Sequence, residues 1–300
     1  MTTQAELTAF SPAKINLYLR ITRKRPDGYH DLETVMLPLD FGDEIVCQLR
    51  PAGLSMECDN ATLPTDDRNL ALRAARQLAE RCQVKQGAHI ILRKRTPLAA
   101  GLGGGSSNAA VVLATLNQLW QLNAPAATLD ELAAGMGSDI NFFLAGSTAL
   151  CRGRGELVEP VPCRLSATVL LINPGFGIST KWAYESWAKA AAGLTAAPPP
   201  VTLLTRALAD DDLAGVAAAL FNSLEAPSVG KFPVLDLLKG ALRANGAAGA
   251  MMSGSGATVF GLFAEAGDAV RAAAQISAEF GPSMWTRVTK CVSAEKCIRV

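Results

Sequence analysis

Between Pro97 and Ala110 the chain reads Pro-Leu-Ala-Ala-Gly-Leu-Gly-Gly-Gly-Ser-Ser-Asn-Ala-Ala, and no other stretch restricts its fold as sharply. Gly101, Gly103, Gly104 and Gly105 crowd one short loop, and Ser106, Ser107 and Asn108 then open an apolar run. Val111, Val112, Leu113, Leu116, Leu119 and Trp120 recur at helical spacing, which predicts a helix over 108–120 with the polar trio as its cap. A glycine loop feeding a helix N-terminus presents free backbone N–H groups and the positive end of the helix dipole, so it is a ready anion site. Glycine also lets the backbone approach a phosphate closely. The stretch reads as a polyphosphate cradle, but not as either common kind. A Walker A loop needs Lys then Ser or Thr after its last glycine, and no Lys follows Lys94 before the helix ends; a G-x-G-x-x-G fingerprint counted from Gly101 ends on Ser106.

Composition limits the partners. Three hundred residues, 49% of them hydrophobic, suffice for one large domain or two ordinary ones. A net charge of +1 with no basic stripe gives no reason to expect nucleic acid. The first residues, Met-Thr-Thr-Gln-Ala-Glu, do not form a secretory signal, and no apolar run reaches the length of a membrane span, so a cytoplasmic protein is expected. The seven cysteines (47, 58, 82, 151, 163, 291 and 297) are odd in number and form no C-x-x-C pair; they read as reduced, mostly packed thiols. His30 and His89 are the only histidines, neither within a ligand cluster, so no protein metal site is expected; His89, in an apolar strand, reads as structural.

Residues 14 to 21 alternate, with Ile15, Leu17, Leu19 and Ile21 on one face of a strand and Lys14, Asn16, Tyr18 and Arg20 on the other. Further strands are expected near 33–39, 43–49 and 88–93, and a helix over 69–81. Thr128 with Glu131 forms a capping box, and Ser138 is placed to cap a helix over 139–144. A second β/α alternation follows: strands at 168–172, 247–252, 257–263 and 284–291, and helices at 180–191, 211–221, 232–245 and 267–280. The Ala- and Pro-rich stretch 190–200 reads as a surface loop. The order points to two domains, 1–160 and 161–300, of α+β or α/β type, with a cleft between them and a glycine loop from each.

Lys14 and Asn16 lie two apart on a strand and share a face, an arrangement suited to a phosphate or a reacting hydroxyl. Asp139 in Gly137-Ser-Asp opens a helix, where the dipole favours a carboxylate able to take or orient a hydroxyl proton. Met252-Ser-Gly-Ser-Gly-Ala257 is a second glycine loop. Taken singly, these have plainer accounts: a solvated strand face, a helix cap, a tight hairpin.

Together and in this order, Pro12-Ala-Lys-Ile-Asn16, the 101–110 loop, Gly137-Ser-Asp139 and Ser253-Gly-Ser-Gly-Ala257 resemble the GHMP small-molecule kinases over nearly the whole chain. Arg25-Pro-Asp-Gly-Tyr-His30 and Phe41-Gly-Asp43 are similar to the branch whose acceptor alcohol carries a cytidine diphosphate. The resemblance implies an α+β, two-domain GHMP kinase fold, with an N-terminal domain of the ribosomal-S5-domain-2-like kind and a ferredoxin-like C-terminal domain. It implies ATP, with Mg²⁺, as phosphoryl donor, a small-molecule cytidyl-diphosphate substrate, and a monomer or weak homodimer. Lys14 and Asp139 match the catalytic pair. Pro97, Leu98, Ala99, Ala100, Gly101, Leu102, Gly103, Gly104, Gly105, Ser106 and Ser107 match the ATP-phosphate loop, and Lys94 a lysine near the nucleotide. Asn16 matches a residue beside the acceptor, and Tyr29, His30 and Tyr184 match the cytidine pocket, with Asp139 also facing substrate. Gly254, Ser255 and Gly256 form the second glycine loop. Two positions depart from the family pattern: Asn141 stands where a proline is usual, and Ser223 in Asn222-Ser-Leu-Glu225 replaces an aspartate. Two other readings stay open: a GHMP kinase of the mevalonate or homoserine type, and a nucleotide-binding regulator without catalysis.

Overall fold

A computed structural model describes residues 5–190 and 198–292. Its frame is a long hairpin: β1 (Glu6–Lys24) pairs antiparallel with β2 (His30–Arg50) along nearly its full length. The far edge of β2 is shared, residues 32–36 pairing with β5 (Ala149–Gly153) and residues 44–50 with β4 (Gly87–Arg93). β3 (Leu54–Cys58) lies parallel to β4, and β6 (Leu157–Pro160) extends β5. Four helices cover this sheet: α1 (Leu70–Arg81), α2 (Gly104–Leu119), α3 (Ala126–Met136) and α4 (Ile140–Ala145). α1 begins as the pattern predicts, with Asn69 accepting from the Ala71 N–H.

Four expectations for this half need correction, one of them the cap of α4, which is Asp139 rather than Ser138 and makes no side-chain cap bond. α2 begins at Gly104, not at 108: Gly103 is its cap in the left-handed region (φ 70°), and no side chain caps it. Ser107 and Asn108 are buried inside the helix, because partners on β1 and β2 claim their side chains. α3 starts at Ala126 behind Pro125, so Thr128 lies within the helix and its N–H donates to the Pro125 carbonyl. Proline pre-sets the turn and displaces the capping box. β1 does not alternate simply. Its register shifts between Pro12 and Lys14 and between Asn16 and Tyr18, and a bulge of this kind re-aims the following side chains. Tyr18 is therefore fully buried beside Leu17 rather than sharing the Lys14–Asn16 face, and its hydroxyl donates to the Pro199 carbonyl at 3.0 Å.

The second sheet is antiparallel and formed by β7 (Thr168–Asn173), β9 (Gly249–Met252), β10 (Val259–Phe263) and β11 (Trp285–Lys290), in spatial order β11-β7-β10-β9. Counted along the chain, that order is 4-1-3-2, the ferredoxin-like arrangement the resemblance implies. Two-residue β8 (Phe221–Asn222) instead joins the first sheet, parallel to β1. Helices α5 (Thr180–Ala190), α6 (Val201–Ala209), α7 (Leu213–Ala218), α8 (Glu225–Lys231), α9 (Val234–Ala244) and α10 (Ala266–Phe280) surround these strands. The expected 211–221 helix is the shorter α7, with Asp212 accepting from the Gly215 N–H. α6 follows Pro200, and α8 carries Pro227 and Gly230, which mask its helical pattern. Most of the 190–200 loop, and Cys297, lie outside the described residues.

The halves are not insulated. One apolar layer takes Ile15, Leu17 and Leu37 from the first sheet and Val169, Leu171 and Phe260 from the second, all fully buried. α2 is the spine of the other major core: Val112, Leu113 and Leu116 are inaccessible and pack with Leu72 and Leu78 of α1. Leu116→Ala should cost about 2–5 kcal/mol, the lost burial plus the cavity left behind. Urea unfolding followed by tryptophan fluorescence checks this; an unchanged midpoint would mean that α2 is not the spine described.

Candidate active site

Lys14 is buried on β1 between the two bulges, and its ammonium is satisfied by parts of the chain far apart in sequence. It donates to Asn16 Oδ1 at 2.6 Å and to the Gly101 carbonyl at 3.0 Å, and lies 3.7 Å from Asp139 Oδ2. Burial pushes the Lys14 pKa down, and the Asp139 carboxylate partly opposes that shift. Asp139 occupies the cap position of α4 but caps nothing with its side chain, so its carboxylate is free to face the cleft. Asn16 is held by Thr34: its Nδ2 donates to Thr34 Oγ1 at 2.9 Å, and that hydroxyl donates to the Tyr18 carbonyl at 2.6 Å.

The two glycine loops interlock. Ser253 Oγ donates to the Gly101 carbonyl at 2.9 Å, so one carbonyl accepts from both Lys14 and Ser253. Gly101 has φ 78°, and a Cβ there would lie 2.1 Å from the Ser253 carbonyl oxygen, so only glycine fits the crossing. Asn222 Nδ2 donates to the Met252 and Gly254 carbonyls, both at 2.8 Å, and fixes the second loop from β8.

One continuous cleft joins most of the residues singled out from sequence. It is lined by Lys14, Asn16, Tyr29, His30, Lys94, the loop from Pro97 to Ser106, Asp139, Tyr184, Gly254 and Ser255. Ser107 is not brought to it: that hydroxyl is fully buried and meets Ser11 Oγ at 2.8 Å. Gly256 lies behind the second loop, its Cβ position against Met252 and Ile178. Lys94 reaches the wall, but its ammonium bonds inward, to Asp43, Thr96 and Asn108.

At one end of the cleft His30 stacks on Tyr184, ring centres 5.2 Å apart, with the edge of Trp187 at 5.6 Å. His30 Nε2 is buried without a hydrogen-bond partner. Burial pushes the imidazole pKa below its ordinary value, and nearby Lys24 adds to the effect; burial, with the Asp139 charge, pushes the Tyr184 phenol up. Tyr29 is exposed, with the Arg154 guanidinium 5.1 Å over its ring. His89 sits in β4, bonded to Ser55 at 2.8 Å and away from the cleft.

Sequence reasoning did not single out Thr34, Ser253, Asn222 or Arg154 as individual residues. Ser253 and Asn222 sat in plain sight within quoted motifs; Thr34 carries no signal that separates it from any strand threonine.

A kinase cleft of this design agrees with what known proteins show. The family model for the GHMP kinases N terminal domain matches residues 69–147, and that for GHMP kinases C terminal matches residues 204–282. A 4-diphosphocytidyl-2-C-methyl-D-erythritol kinase of Synechococcus sp. (strain JA-3-3Ab) is 43% identical over 262 residues, covering 86% of this chain and 85% of that protein. A crystal structure of a 4-(cytidine 5'-diphospho)-2C-methyl-D-erythritol kinase superposes with TM-score 0.80 at 34% identity, covering 95% of this chain and all of the other. The homoserine kinase of Cytophaga hutchinsonii, at TM-score 0.77 but 21% identity, shares the fold. The chain belongs to the GHMP kinase family, and it is an ATP-dependent small-molecule kinase.

The lowered pKa of His30 has a sign. The fold disfavours the imidazolium relative to the unfolded chain, so acidification through the ordinary histidine value of 6.5 removes stability rather than adding it. An NMR titration of the ring should give a midpoint below 6.5; a midpoint above it would mean that His30 is not held as described.

Proposed function

We propose that the chain transfers the γ-phosphoryl group of ATP to the 2-hydroxyl of 4-diphosphocytidyl-2-C-methyl-D-erythritol. One observation carries the reading. A single cleft runs from the glycine loop, past Lys14 and Asp139, to a wall of His30 and Tyr184. That order would seat the donor phosphates, the reacting hydroxyl and the cytidine one after another along it. The relatives bearing this enzyme's name, alike over more than four-fifths of the chain, support the choice of acceptor.

Free N–H groups of the loop and the first turn of α2 hold the phosphates. Asp139 takes the proton of the attacking hydroxyl as its oxygen bonds to phosphorus and the bond to the bridging oxygen breaks, leaving ADP. Lys14, 3.7 Å from Asp139, stabilises the charge on the transferring group, while Asn16 orients the hydroxyl. Positioning and electrostatics suffice for phosphoryl transfer, so few side chains are needed. Among the described residues no three His, Cys, Asp or Glu side chains converge as a metal cage. Mg²⁺ arriving with ATP needs none, because it prefers phosphate oxygens, water and one or two protein oxygens. Ser106, lining the cleft, would supply one such oxygen and leave the ion to neutralise phosphate charge. His30 Nε2, buried and without a partner, supports a role in bonding the cytosine edge between Tyr29 and Tyr184.

Phosphoryl transfer from ATP to the cytidyl substrate should far exceed transfer to mevalonate, homoserine or galactose; good turnover of one of those instead would overturn the acceptor. Asp139→Asn should keep ATP binding and lose ~10²-fold or more in turnover; near-normal turnover would remove Asp139 from the mechanism. His30→Ala should raise KM for the cytidyl substrate and leave that for ATP, and the reverse pattern would refute the pocket assignment.

A further inference from the structure

Behind the glycine loop, touching the cleft only through Lys94 and Asn108, lies a buried polar node that the mechanism above does not use. Its centre is Asp43, whose side chain has no exposure. β2 sets it opposite Ser11 of β1. Oδ1 accepts from the N–H groups of Arg95 and Thr96, both at 2.8 Å, and from Thr96 Oγ1 at 2.9 Å. Oδ2 accepts from Lys94 Nζ, and from Asn108 Nδ2 and Thr96 Oγ1, both at 2.9 Å. Asn108 Nδ2 also donates to Ser11 Oγ at 2.8 Å.

Two features make this more than packing. First, the carboxylate grips both ends of the loop, the 94–96 segment where the chain leaves β4 and Asn108 in the second turn of α2. Second, the node touches the loop backbone itself. A Cβ on Gly104 would lie 2.5 Å from Thr96 Oγ1 and 3.0 Å from Lys94 Nζ, so the first residue of α2 rests directly on the node. A buried carboxylate so fully bonded resists displacement, because any movement leaves a charge unpaired in a dry interior. Lys94, only 6% exposed, is its counter-ion.

We propose that Asp43 is a positioning residue for the phosphoryl donor: it fixes the glycine loop through Thr96 and Asn108, and Lys94 acts on the donor through Asp43 rather than by touching it. The proposal rests on the reading of the loop as the ATP cradle. If it holds, Asp43→Asn raises KM for ATP about tenfold or more, since bonds to a charged group are lost, and leaves KM for the acceptor unchanged. The pair must also be non-additive: Asp43→Asn with Lys94→Met, which removes both charges, should lower KM for ATP below that of either single variant. Steady-state kinetics in both substrates, with calorimetric ATP binding to the unmodified chain, test this. Failure of the unmodified chain to bind ATP overturns the cradle reading and this proposal with it. ATP binding by the unmodified chain, with KM for ATP unchanged in Asp43→Asn or with both KM values raised together, overturns the proposal alone. A double variant worse than both singles does so too, because Lys94 would then contact the nucleotide directly. If Asp43→Asn does not fold by circular dichroism, Thr96→Val decides: a roughly threefold rise in KM for ATP alone supports the node, and an unchanged value overturns it.

Discussion

A lysine ammonium removed from water dictates the centre of this molecule. Lys14 is stripped of solvent on the first strand, and an unpaired ammonium there would be costly enough to lose its proton. It stays tolerable because three elements converge on it: the same strand through Asn16, the first glycine loop through the Gly101 carbonyl, and the cap of α4 through Asp139. Each partner is also where the proposed mechanism needs it. The need to satisfy one buried charge therefore draws together the first glycine loop, the Asp139 carboxylate and the Asn16 amide, the groups to which the proposed mechanism gives the phosphates, the proton and the hydroxyl.

The same point ties the two halves of the chain. The Gly101 carbonyl that accepts from Lys14 also accepts from Ser253, and Ser253 Oγ accepts from the Asn16 N–H at 3.3 Å. β8 reinforces the joint from behind: it pairs with β1 while Asn222 holds the second loop. Ser223 contributes here too, its hydroxyl accepting from the Ile21 N–H at 3.1 Å. Neither half could form the cleft alone, since the loop and Lys14 come from the first and the Tyr184 wall from the second.

What the sequence made legible was local chemistry. The first glycine loop stands out from residue type and spacing, because anion binding at a helix start is short-range geometry, whereas the Lys14–Asn16 pair and Asp139 stand out only in company with it. The errors arose where distant partners compete with local rules. Ser107 and Asn108 look like caps, yet Ser11 and Asp43 claim them, and the helix starts on glycine instead. Tyr18 should share the face of Lys14, yet a register shift, which no alternation pattern encodes, turns it into the core. Phe41-Gly-Asp43 was visible as a motif, but the bonds that give it a role come from residues up to 65 positions away.

Asn141 stands where the resemblance to the family leads one to expect a proline. A proline there would pre-set the backbone of the first turn of α4. Asparagine cannot, but its Nδ2 donates to the Asp130 carbonyl at 2.9 Å and so straps α4 to α3. α4 still begins at Ile140, directly after Asp139. A hydrogen bond thus does the work of a ring constraint. Asn141 Oδ1 is buried without a partner, so the side chain is held through its Nδ2 alone. α3, which supplies no side chain to the cleft, thus anchors the residue two positions after Asp139.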